Sequence, residues 1–595
     1  MSNTINAAKK STLDPITLEI IRNEVQSIPD LVEADLMRTA FSPLIYEYKD
    51  YAVGLVDAQG RSIALARQGI PLFLANLIGL AVNDGLATYG TQGIEAGDVI
   101  VTNYAGTLGQ HLNNVVMYTP ACTSDGKIVA FMAVVGHWID IGGQYPGSCL
   151  GTDTTEVFQE GLQIRSVKLI AKGKRVEEIY RIIEHNTRLP EMLLGDIEAQ
   201  LTGCLKGREL FMNLLERHGH DVLFDGIDEI WRSAEAAARA GVEAIPDGVY
   251  EMESFLDDDG VELGKRIPVH VIVRIEGSEF IVDFSNVADQ LKGPFNSGRF
   301  GGAEVCARIA FKYLVVPDEP ANEGCFTPVS VVIPPGKFLS AAPNAPFANY
   351  SLPLPTVIDT IIAAMAEVMP EKVAAGHHAS FGVYGFKGKD PRSGRHFNIF
   401  DTSHGGWGGS MHGDGVGPYK TLGHGDNKDI PVEVQEALYP LMVESYAWRD
   451  DSAGAGQNRG GLGTEKVYRI TAPCTASVAL ERHFCPPWGL KGGGAGSAGY
   501  VEFQRAGEPP CTLLKLSALA VVPGDRLHVY SSGGGGYGSP LQRSPEQVHN
   551  DVVQGYVSPR NALDLYGVVL DAKHEVDQIA TENERSRLLS LPGNV

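Results

Sequence analysis

Glycine is concentrated in four clusters in the last third of this chain, and these clusters limit what that region can fold into. They lie at residues 405–409, 460–463, 492–494 and 533–538. None of them has the spacing of a phosphate-binding P-loop or of a dinucleotide fingerprint. The clusters are typical of tight turns in a β-rich region, where a positive φ favours glycine. The alternative is that they form loops shaping a cavity or a contact with another chain, because glycine lets the backbone approach a ligand closely.

Hydrophobic periodicity elsewhere in the chain alternates between the helical and the strand pattern. The first helix is predicted to begin at Asp14-Pro15, with Asp14 as its cap and Pro15 in its first turn. The further elements predicted by the pattern are a hairpin over 51–57 and 62–66, strands at 97–103 and 127–137, helices over 174–245 and 354–376, and a charged helical tail after Ser544.

The chain has 595 residues, more than one hydrophobic core usually supports, so we expect two to four domains. The predicted fold class is mixed α/β (α+β) and multi-domain, with β-rich modules and two helical segments. The predicted regions are an N-terminal α/β region (1–173), a helical segment (174–245), a β-rich region with a helix (246–376), a glycine-rich β region (377–543) and a helical C-terminal tail (544–595).

The charge of the chain excludes some classes of partner. Acidic residues outnumber basic ones 72 to 49, which gives a net charge of −23. Nucleic-acid binding needs a concentrated basic face, and docking on an anionic membrane needs basic clusters, so neither partner is expected. A small-molecule substrate remains compatible, since an acidic protein can still carry a local basic pocket.

Cysteine usage and the N-terminus predict a cytoplasmic location. The eight cysteines are scattered without a CxxC pair, as expected for reduced thiols rather than a disulfide framework. Residues 1–13 are polar and have no apolar core, so no signal peptide is predicted. We also expect no membrane span, because no run reaches the roughly 18 apolar residues that one requires.

Three polar motifs near the N-terminus carry the candidate chemistry. They are Tyr46–Asp50, Gln110–Asn114 and Gly136–Gly143, which supply an acid, a histidine with polar neighbours, and a second histidine with an acid three residues on. Mixed imidazole and carboxylate sets hold zinc and the harder transition metals, or transfer protons. Each residue taken singly is more often a buried imidazole or a turn carboxylate. The three motifs together favour a site, with the first two at strand ends or loops and the third closing a buried strand.

Motifs spread along the chain resemble one known family. They are Asp14–Asn23, Arg38–Pro43, Asp50, Gly97–Asn103, Pro146–Ser148, Phe158–Gly161, Gly195-Asp196, Asp283–Ser285, Gly293–Asn296, Asn322–Gly324, Ile430–Glu433, Gly460–Gly463, Pro486–Gly489 and Gly533–Gly538. Taken in order, they resemble the hydantoinase B/oxoprolinase family over about residues 14–570.

The resemblance implies one component of an ATP-dependent hetero-oligomer. Its partner would be a hydantoinase A-like subunit, which binds ATP with Mg²⁺ and phosphorylates a carbonyl-type substrate. Some members of the family open cyclic amides such as N-methylhydantoin, 5-oxoproline or caprolactam. Others carboxylate ketones such as acetone or acetophenone with bicarbonate or CO₂.

The resemblance also implies a metal site, with Zn²⁺ or Mn²⁺ as the candidate ions. Carried over by motif, the ligand positions are Asp50, His111, Asn114 and His137. Asn114 is a departure, because the family pattern has an Asp there, and an amide oxygen brings no charge to a cation. Asp140 either compensates as a further ligand or orients His137 as a neighbour.

The departure at Asn114 bears on the expected reaction, in which Asp50, His111 and His137 are the candidate catalytic residues. Hydrolysis benefits from a metal-held hydroxide, whereas carboxylation of a phosphorylated enol needs a dry site with donor groups. A weakened metal site therefore favours a ketone carboxylase subunit first. The alternatives are a subunit of a cyclic-amide hydrolase and a non-catalytic scaffold subunit. Without a metal, the two histidines become candidates for acid/base work or for binding bicarbonate.

Overall fold

The computed structural model describes residues 13–90 and 92–590, and their contacts divide the chain into two units. Unit 1 takes the chain up to Tyr250, then Val271–Leu354 and Gly423–Pro431, while unit 2 takes Glu251–His270, Pro355–Leu422 and the chain from Val432 onward. The predicted mixed α/β, multi-domain class is confirmed. The five regions expected from sequence are stretches of similar secondary structure, whereas the two units gather segments that are distant along the chain.

Unit 1 is built on a seven-stranded sheet in the order β2-β1-β5-β4-β3-β6-β7, whose strand pairs are antiparallel. Its strands are β1 (Tyr51–Asp57), β2 (Ser62–Leu65), β3 (Val99–Thr102), β4 (Asn114–Cys122), β5 (Ile128–His137), β6 (Val167–Ala171) and β7 (Lys174–Arg175). The predicted β1–β2 hairpin is confirmed. Every residue of β1 is buried, as is nearly all of β4 and β5, because both faces of the central sheet are covered.

The helices of unit 1 include the predicted N-terminal helix and the helices of the 174–245 segment. They are α1 (Pro15–Thr39), α2 (Pro43–Tyr46), α3 (Pro71–Leu74), α4 (Leu77–Tyr89), α5 (Ala105–Leu108), α6 (Glu177–His185), α7 (Pro190–His218), α8 (His220–Glu243) and α9 (Ala303–Leu314). Helix α1 begins as expected, because the Asp14 carboxylate accepts hydrogen bonds from the backbone N–H groups of Ile16 and Thr17.

Helix α7 fixes the ends of the two central strands. Gln200 on α7 donates from Nε2 to the carbonyl oxygens of Val115 at 2.9 Å and Val134 at 2.8 Å. Its Oε1 accepts a 3.0 Å hydrogen bond from the indole of Trp138, the residue after β5. Because this one buried amide holds both strands, the strand ends that carry Asn114 and His137 have a rigid support.

One stretch of unit 1 is notable for its apolar character. Among the residues that the structure describes, Pro71–Tyr89 is long and apolar enough to cross a membrane, with a mean hydropathy of 1.3 over 19 residues. Half of it is buried inside the protein, and it consists of two helices, α3 and α4. The Asp84 carboxylate within it pairs with Arg165 at 2.9 Å. These features are typical of a core helix.

A second sheet, in the order β11-β10-β9-β8, contains the hairpin that leads the chain from unit 1 into unit 2 and back. Its strands are β8 (Gly248–Leu256), β9 (Ile267–Glu276), β10 (Glu279–Asp283) and β11 (Val329–Val332). Helix α8 ends at Glu243, close to the predicted end of the helical segment at residue 245, and Pro246 follows it.

Unit 2 contains two further sheets, ordered β13-β12-β16-β19 and β14-β15-β20-β17-β18. Its strands are β12 (Val383–Lys389), β13 (His396–Thr402), β14 (Leu441–Arg449), β15 (Gly463–Ile470), β16 (Cys474–Ala479), β17 (Tyr500–Gln504), β18 (Cys511–Leu513), β19 (Lys515–Val521) and β20 (Arg526–Tyr530). Its helices are α10 (Leu354–Ala364), α11 (Val432–Leu438), α12 (Pro545–Val553), α13 (Pro559–Asp564) and α14 (Gln578–Leu589).

The boundaries of two predicted helical segments can be compared directly with these elements. The prediction of a helix over 354–376 is too long, since α10 ends at Ala364. The chain then tightens into turns in which Met365 and Ala366 bond to carbonyls three residues back. The tail prediction is confirmed, because Ser544 caps α12 and forms a capping box with Gln547.

The glycine clusters of unit 2 mostly do not form tight turns. Within them only Gly492 and Gly538 have the positive φ expected for such turns, at 92° and 72°. Several of the others form backbone hydrogen bonds with one another, as when Gly534 donates to the carbonyl of Gly461 at 2.9 Å. A Cβ at Gly534 would meet the carbonyl oxygen of Trp407 at 2.0 Å. Glycine is therefore needed here for close packing of neighbouring backbones.

Candidate functional site

The sheet of unit 1 aligns three of the expected residues at one end of three adjacent strands. Asn114, the first residue of β4, is paired with His137, the last residue of β5. Tyr51 on β1 is paired with Gly136, so Asp50 lies beside His137, whose backbone N–H donates to the Asp50 carbonyl at 3.1 Å. Residues directly opposite each other on neighbouring strands project to the same face. Asp50, His137 and Asn114 therefore form a row.

His111 joins this row from the loop before β4. Its ring centroid lies 5.0 Å from that of His137 and 4.9 Å from that of Tyr350, both in edge-to-face geometry. The exposed fractions of Asp50, His111 and His137 are 6%, 5% and 2%. The structure thus brings together two imidazoles, an acid and an amide in a buried region, as the sequence motifs predicted.

Backbone carbonyls fix the orientation of the polar groups at both ends of this cluster. At one end, the Leu72 carbonyl accepts from Gln110 Nε2 at 3.1 Å, so Gln110 Oε1 accepts in turn from Asn114 Nδ2 at 2.8 Å. Asn114 Nδ2 also donates to the Tyr350 hydroxyl at 2.9 Å. The Oδ1 atom of Asn114 consequently faces His111.

At the other end, the Ala348 carbonyl lies 3.1 Å from His111 Nδ1. A carbonyl only accepts, so Nδ1 carries the proton of the imidazole. Burial lowers the pKa of His111 to about 4, which leaves the ring neutral and Nε2 as a lone pair. That lone pair lies 2.8 Å from Asn114 Oδ1. Two electron-pair donors facing each other repel, and a cation beside them converts this repulsion into ligation.

Burial favours the neutral forms of Asp50 and His137, as it does for His111. Burial raises the pKa of Asp50 to about 8, and its Oδ1 has no hydrogen-bond partner within the described part of the chain. Burial also lowers the pKa of His137 well below its usual value, and the neighbouring His111 lowers it further. An approaching cation would stabilise the carboxylate form of Asp50, because opposite charges favour ionisation.

The structure adds residues that sequence reasoning did not identify as part of the site. Tyr350 and Cys149 are buried beside Asp50; burial raises the pKa of each, and the charge of Asp50 raises it further. Glu160 is buried near His111, and its carboxyl group accepts a 2.6 Å hydrogen bond from Phe347 N–H. The family motif around Glu160 was the only sequence signal for any of these, and it did not indicate a role.

In this structure the Asp140 carboxylate is bonded to groups outside the cluster. One of its carboxylate oxygens accepts from the Arg188 guanidinium at 2.7 Å, and the other accepts from the Arg188 backbone N–H at 2.5 Å. It also accepts from Gly142 N–H at 3.2 Å. Because this fully buried carboxylate is paired with an arginine, it fits the alternative role, that of fixing the loop after His137.

Two non-glycine residues next to the cluster have left-handed backbone conformations. Lys49, which precedes Asp50, has a φ of 66°, and Ser148, which precedes Cys149, has a φ of 45°. Asn427 donates to the carbonyl of Tyr48 at 2.8 Å and so helps to hold the first of these turns. Strained residues of this kind persist where the surroundings fix them, and they concentrate at functional sites.

The side chains fit a divalent cation in part. Within residues 13–90 and 92–590, no group of three or more His, Cys, Asp or Glu side chains is arranged to hold a metal ion. His111 Nε2 and Asn114 Oδ1 lie 2.8 Å apart, whereas two ligands of a tetrahedral zinc are roughly 3.3 Å apart, so the pair must separate by about half an ångström to hold one ion. A complete ligand set requires the side chains of Asp50 and His137 to turn toward this pair.

Comparisons with known proteins agree with the family resemblance. The model of the hydantoinase B/oxoprolinase family matches residues 14–540. The chain therefore belongs to this family, and the expectation that it is part of an enzyme is confirmed.

Two curated relatives match over nearly their full lengths. A protein named as the B component of a D-/L-hydantoinase, from Pseudomonas sp. (strain NS671), is 27% identical over 590 residues, covering 96% of this chain and 98% of that protein. The beta chain of the caprolactamase of Pseudomonas jessenii is 30% identical over 597 residues, covering 97% of this chain and 100% of that protein.

Solved structures share the fold. The crystal structure of the ATP-dependent caprolactamase from Pseudomonas jessenii matches with a TM-score of 0.89 at 29% identity, covering 97% of this chain and 100% of that chain. A nucleotide-free acetone carboxylase matches with the same TM-score of 0.89 at 18% identity, covering 97% of this chain and 83% of that chain. At that lower identity, the likeness to acetone carboxylase bears on the fold alone.

Proposed function

We propose that this chain is the hydantoinase B-type component of an ATP-dependent enzyme that opens a cyclic amide. The observation that carries the proposal is the pair of facing electron-pair donors, His111 Nε2 and Asn114 Oδ1, beside the buried Asp50. Hydrolysis of an amide uses a cation to polarise the carbonyl and to lower the pKa of a bound water. Two neighbouring lone pairs, together with a carboxyl group that can lose its proton, are suited to bind such an ion.

Each residue of the cluster has a defined role in this proposal. Asp50, His111, Asn114 and His137 would hold a divalent cation, and the bound cation would supply Lewis-acid chemistry at the substrate carbonyl. The Ala348 carbonyl keeps the proton of His111 on Nδ1, so that Nε2 stays available. Asp50, with a pKa raised to about 8, gives up its proton when positive charge approaches.

The ATP-dependent step belongs to a partner in this proposal. Both curated relatives are named as single components of larger enzymes, a hydantoinase and a caprolactamase, which supports a hetero-oligomer. The glycine clusters of this chain lack the P-loop and dinucleotide spacings, so we place ATP and Mg²⁺ on a hydantoinase A-like subunit. The location in the cytoplasm, inferred from the reduced cysteines, is part of the same proposal.

A cyclic amide is favoured over a ketone as substrate, because relatives named for cyclic amides match this chain over nearly its whole length. The hydantoinase and caprolactamase relatives match at 27% and 30% identity over nearly the whole chain, and both names refer to the opening of a ring amide. The sequence motifs alone favoured ketone carboxylation, on the ground that Asn114 weakens the cation site.

Ketone carboxylation remains the second candidate, and the observation that favours it is Asn114 itself. An amide oxygen at this position leaves Asp50 as the single carboxylate beside the two imidazoles. A weaker cation site and a buried surrounding suit a reaction that must exclude water, with bicarbonate or CO₂ as the second substrate.

The two functions are separated by the identity of the product. The chain is purified with its natural partner and supplied with ATP, Mg²⁺ and either Zn²⁺ or Mn²⁺. One set of reactions contains hydantoin, 5-oxoproline or caprolactam, and the other contains acetone or acetophenone with ¹³C-labelled bicarbonate. We expect ATP consumption and a ring-opened product in the first set, which is an amino acid from either lactam and an N-carbamoyl amino acid from hydantoin.

The reactions with ketone and labelled bicarbonate can contradict the proposal of a cyclic amide. A ketone-dependent ATP consumption with ¹³C in a β-keto acid would replace the first proposal by the second. Absence of any product in both sets, from an assembly whose partner hydrolyses ATP, would instead indicate a scaffold subunit.

A further inference from the structure

Unit 2 contains a buried group of basic and acidic side chains that the proposed function does not use. Its members are His377, His378, Arg482 and Asp359, which we call the Asp359 cluster. Their exposed fractions are 5%, 1%, 1% and 2%. Such groups are seldom buried together unless they are paired or bind something.

Asp359 forms the base of the cluster, and both of its oxygens are engaged. Its Oδ1 accepts from His377 Nδ1 at 2.9 Å. Its Oδ2 accepts from Arg482 Nη2 at 2.9 Å and from Trp488 Nε1 at 2.8 Å. Burial alone would raise the pKa of Asp359, but Arg482 and His377 lower it below its usual value. Asp359 therefore stays ionised and keeps the two basic side chains in fixed positions.

Four buried nitrogen atoms of the cluster remain without a hydrogen-bond partner among the described residues. They are Nε2 of His377, both ring nitrogens of His378, and Nε of Arg482. A buried polar atom that is left unpaired destabilises a fold, so native proteins almost always satisfy such atoms with protein, water or an ion. Four such nitrogens on neighbouring side chains make this cluster a candidate for binding a small polar ligand.

The surroundings of the cluster select an anion as that ligand. Burial lowers the pKa of His378 well below its usual value, and the positive charges of His377, His404, Lys420 and Arg482 lower it further. A metal ion would meet these same positive charges, and a guanidinium cannot ligate one. An oxyanion, by contrast, brings negative charge and several acceptor oxygens, which suit the guanidinium and the imidazole N–H groups of the cluster.

The packing around His377 and His378 holds their rings in place. The Trp407 ring centroid lies 5.6 Å from that of His377. Gly405 lies so close to His378 that a Cβ on it would meet the His378 Cβ at 2.5 Å. Arg482 has a φ of 71°, a left-handed conformation that is unusual for an arginine and that sets the direction of its side chain. Such preorganised donors are characteristic of anion sites.

We propose that the Asp359 cluster binds a small oxyanion of the size of a carboxylate, bicarbonate or orthophosphate. The anion accepts hydrogen bonds from His377 Nε2–H, from Arg482 Nε–H and from the ring of His378. Asp359 assists by accepting the Nδ1–H of His377 at 2.9 Å, so that this ring lies between two anionic acceptors once the oxyanion is bound. This inference concerns unit 2 alone and is independent of the proposed function.

The test compares the intact chain with His378→Phe. The phenyl ring keeps the shape of the imidazole but removes both unpaired nitrogens. Binding of orthophosphate, bicarbonate and acetate is measured by calorimetry in chloride of matched ionic strength. Anion retained through purification is measured by ion chromatography of the denatured protein. We expect one oxyanion per chain, an affinity about tenfold or more weaker in His378→Phe, and a similar loss in Arg482→Lys, which lacks the Nε–H donor.

The matched control is His528→Phe. His528 on β20 also has a buried Nε2 without a hydrogen-bond partner among the described residues, but its ring stacks on Tyr530. This variant should retain the anion affinity of the unchanged protein.

The melting temperature of His378→Phe distinguishes the loss of a bound anion from the simple removal of an unsatisfied imidazole. If an oxyanion binds, it raises the melting temperature of the unchanged protein and does so much less in the variant. The proposal is overturned if no oxyanion is retained or bound by the unchanged protein. It is equally overturned if His378→Phe binds as tightly as the unchanged protein, or is as stable or more stable at every anion concentration, since removal of an unsatisfied imidazole alone is neutral or stabilising. The three anions, compared with one another, identify the class that binds best.

Discussion

At the scale of single residues, Asn114 determines how strongly the cluster of unit 1 can hold a cation. Its Oδ1 already faces His111 Nε2 at 2.8 Å, and its orientation is fixed by Gln110 and Tyr350. A carboxylate at the same position would add a full negative charge where the amide supplies only a dipole. Asn114 is thus the residue at which cation affinity can be changed without altering the shape of the site.

We predict that Asn114→Asp binds Zn²⁺ or Mn²⁺ about tenfold or more tightly than the unchanged chain, since an opposite charge close to an ion contributes more than about 1.4 kcal/mol. The measurement is a calorimetric titration of the chelator-treated protein. Asn344→Asp is the matched control, because it adds the same charge at an exposed position of unit 1. Equal affinities in the unchanged chain and Asn114→Asp would rule out Asn114 as a ligand position.

Glu160 provides a pH-dependent prediction at the same scale. Burial raises the pKa of Glu160 to about 8, although the backbone N–H groups of Phe347, Leu112 and Ala348 lower it in part. The folded protein therefore holds a proton on Glu160 that the unfolded chain releases near the ordinary pKa of a glutamate, about 4.3. Since the folded state binds more protons between these values, its stability falls as the pH rises from about 4.3 to 8.

Glu160→Gln keeps the acceptor for Phe347 N–H and removes this ionisation. Relative to the unchanged protein, we expect the variant to gain stability as the pH rises from about 5 to 8, by up to about 1.4 kcal/mol per pH unit. Melting temperatures of chelator-treated protein at a series of pH values measure the difference. A difference that stays constant with pH, or that reverses, would mean that Glu160 is ionised in the fold.

The sequence identified the residues of this site better than it identified their contacts. Asp50, His111 and His137 were recognisable because they adjoin strand-like runs, and the strand register brings them together. The partners that orient them are carbonyls and hydroxyls from distant segments, such as Ala348 and Tyr350. No local pattern encodes a contact between segments so far apart along the chain, and the same holds for the Asp140–Arg188 pair.

At the scale of structural elements, the glycine-rich segments of unit 2 stabilise the fold through contact of one backbone with another. From sequence the clusters are predicted to form tight turns, because a positive φ is a common reason for a chain to need glycine. The structure shows the other reason, namely the absence of a Cβ. Strand β4 was also missed, and it contains Pro120, a residue that weakens a strand prediction.

We predict that Gly534→Ala destabilises unit 2 strongly, by about 1–3 kcal/mol or more, because its Cβ would overlap the Trp407 carbonyl oxygen at 2.0 Å. Gly413→Ala is the matched control: nothing lies within 4 Å of its Cβ position and its φ is not in the left-handed range. Thermal melting of both variants tests the idea. A Gly534→Ala protein as stable as Gly413→Ala would show that the backbones do not need this close approach.

At the scale of the whole molecule, the cluster that carries the proposed chemistry lies in unit 1 and the Asp359 cluster lies in unit 2. The fold class, the family and the existence of several domains followed from the sequence. The division into two units did not, because each unit collects segments far apart in the chain, such as Gly423–Pro431, which belongs with the N-terminal sheet.

We predict that His111→Ala abolishes turnover in the assembly of the chain with its partner, with a loss of about 100-fold or more. The measurement is the rate of product formation with ATP. His185→Ala, at an exposed position on α6, should leave the rate unchanged. Full activity of His111→Ala would identify the chain as a scaffold whose catalytic groups lie on its partner.

In the proposed function, His111 and His137 ligate one ion together with Asp50 and Asn114. The most direct measurement is the X-ray absorption spectrum of the full-length chain after chelator treatment and reconstitution with Zn²⁺. We expect two imidazole ligands and two oxygen ligands from the protein, with one imidazole lost in His111→Ala and one in His137→Ala. A spectrum with fewer than two imidazoles, or one that neither variant changes, would contradict this proposal.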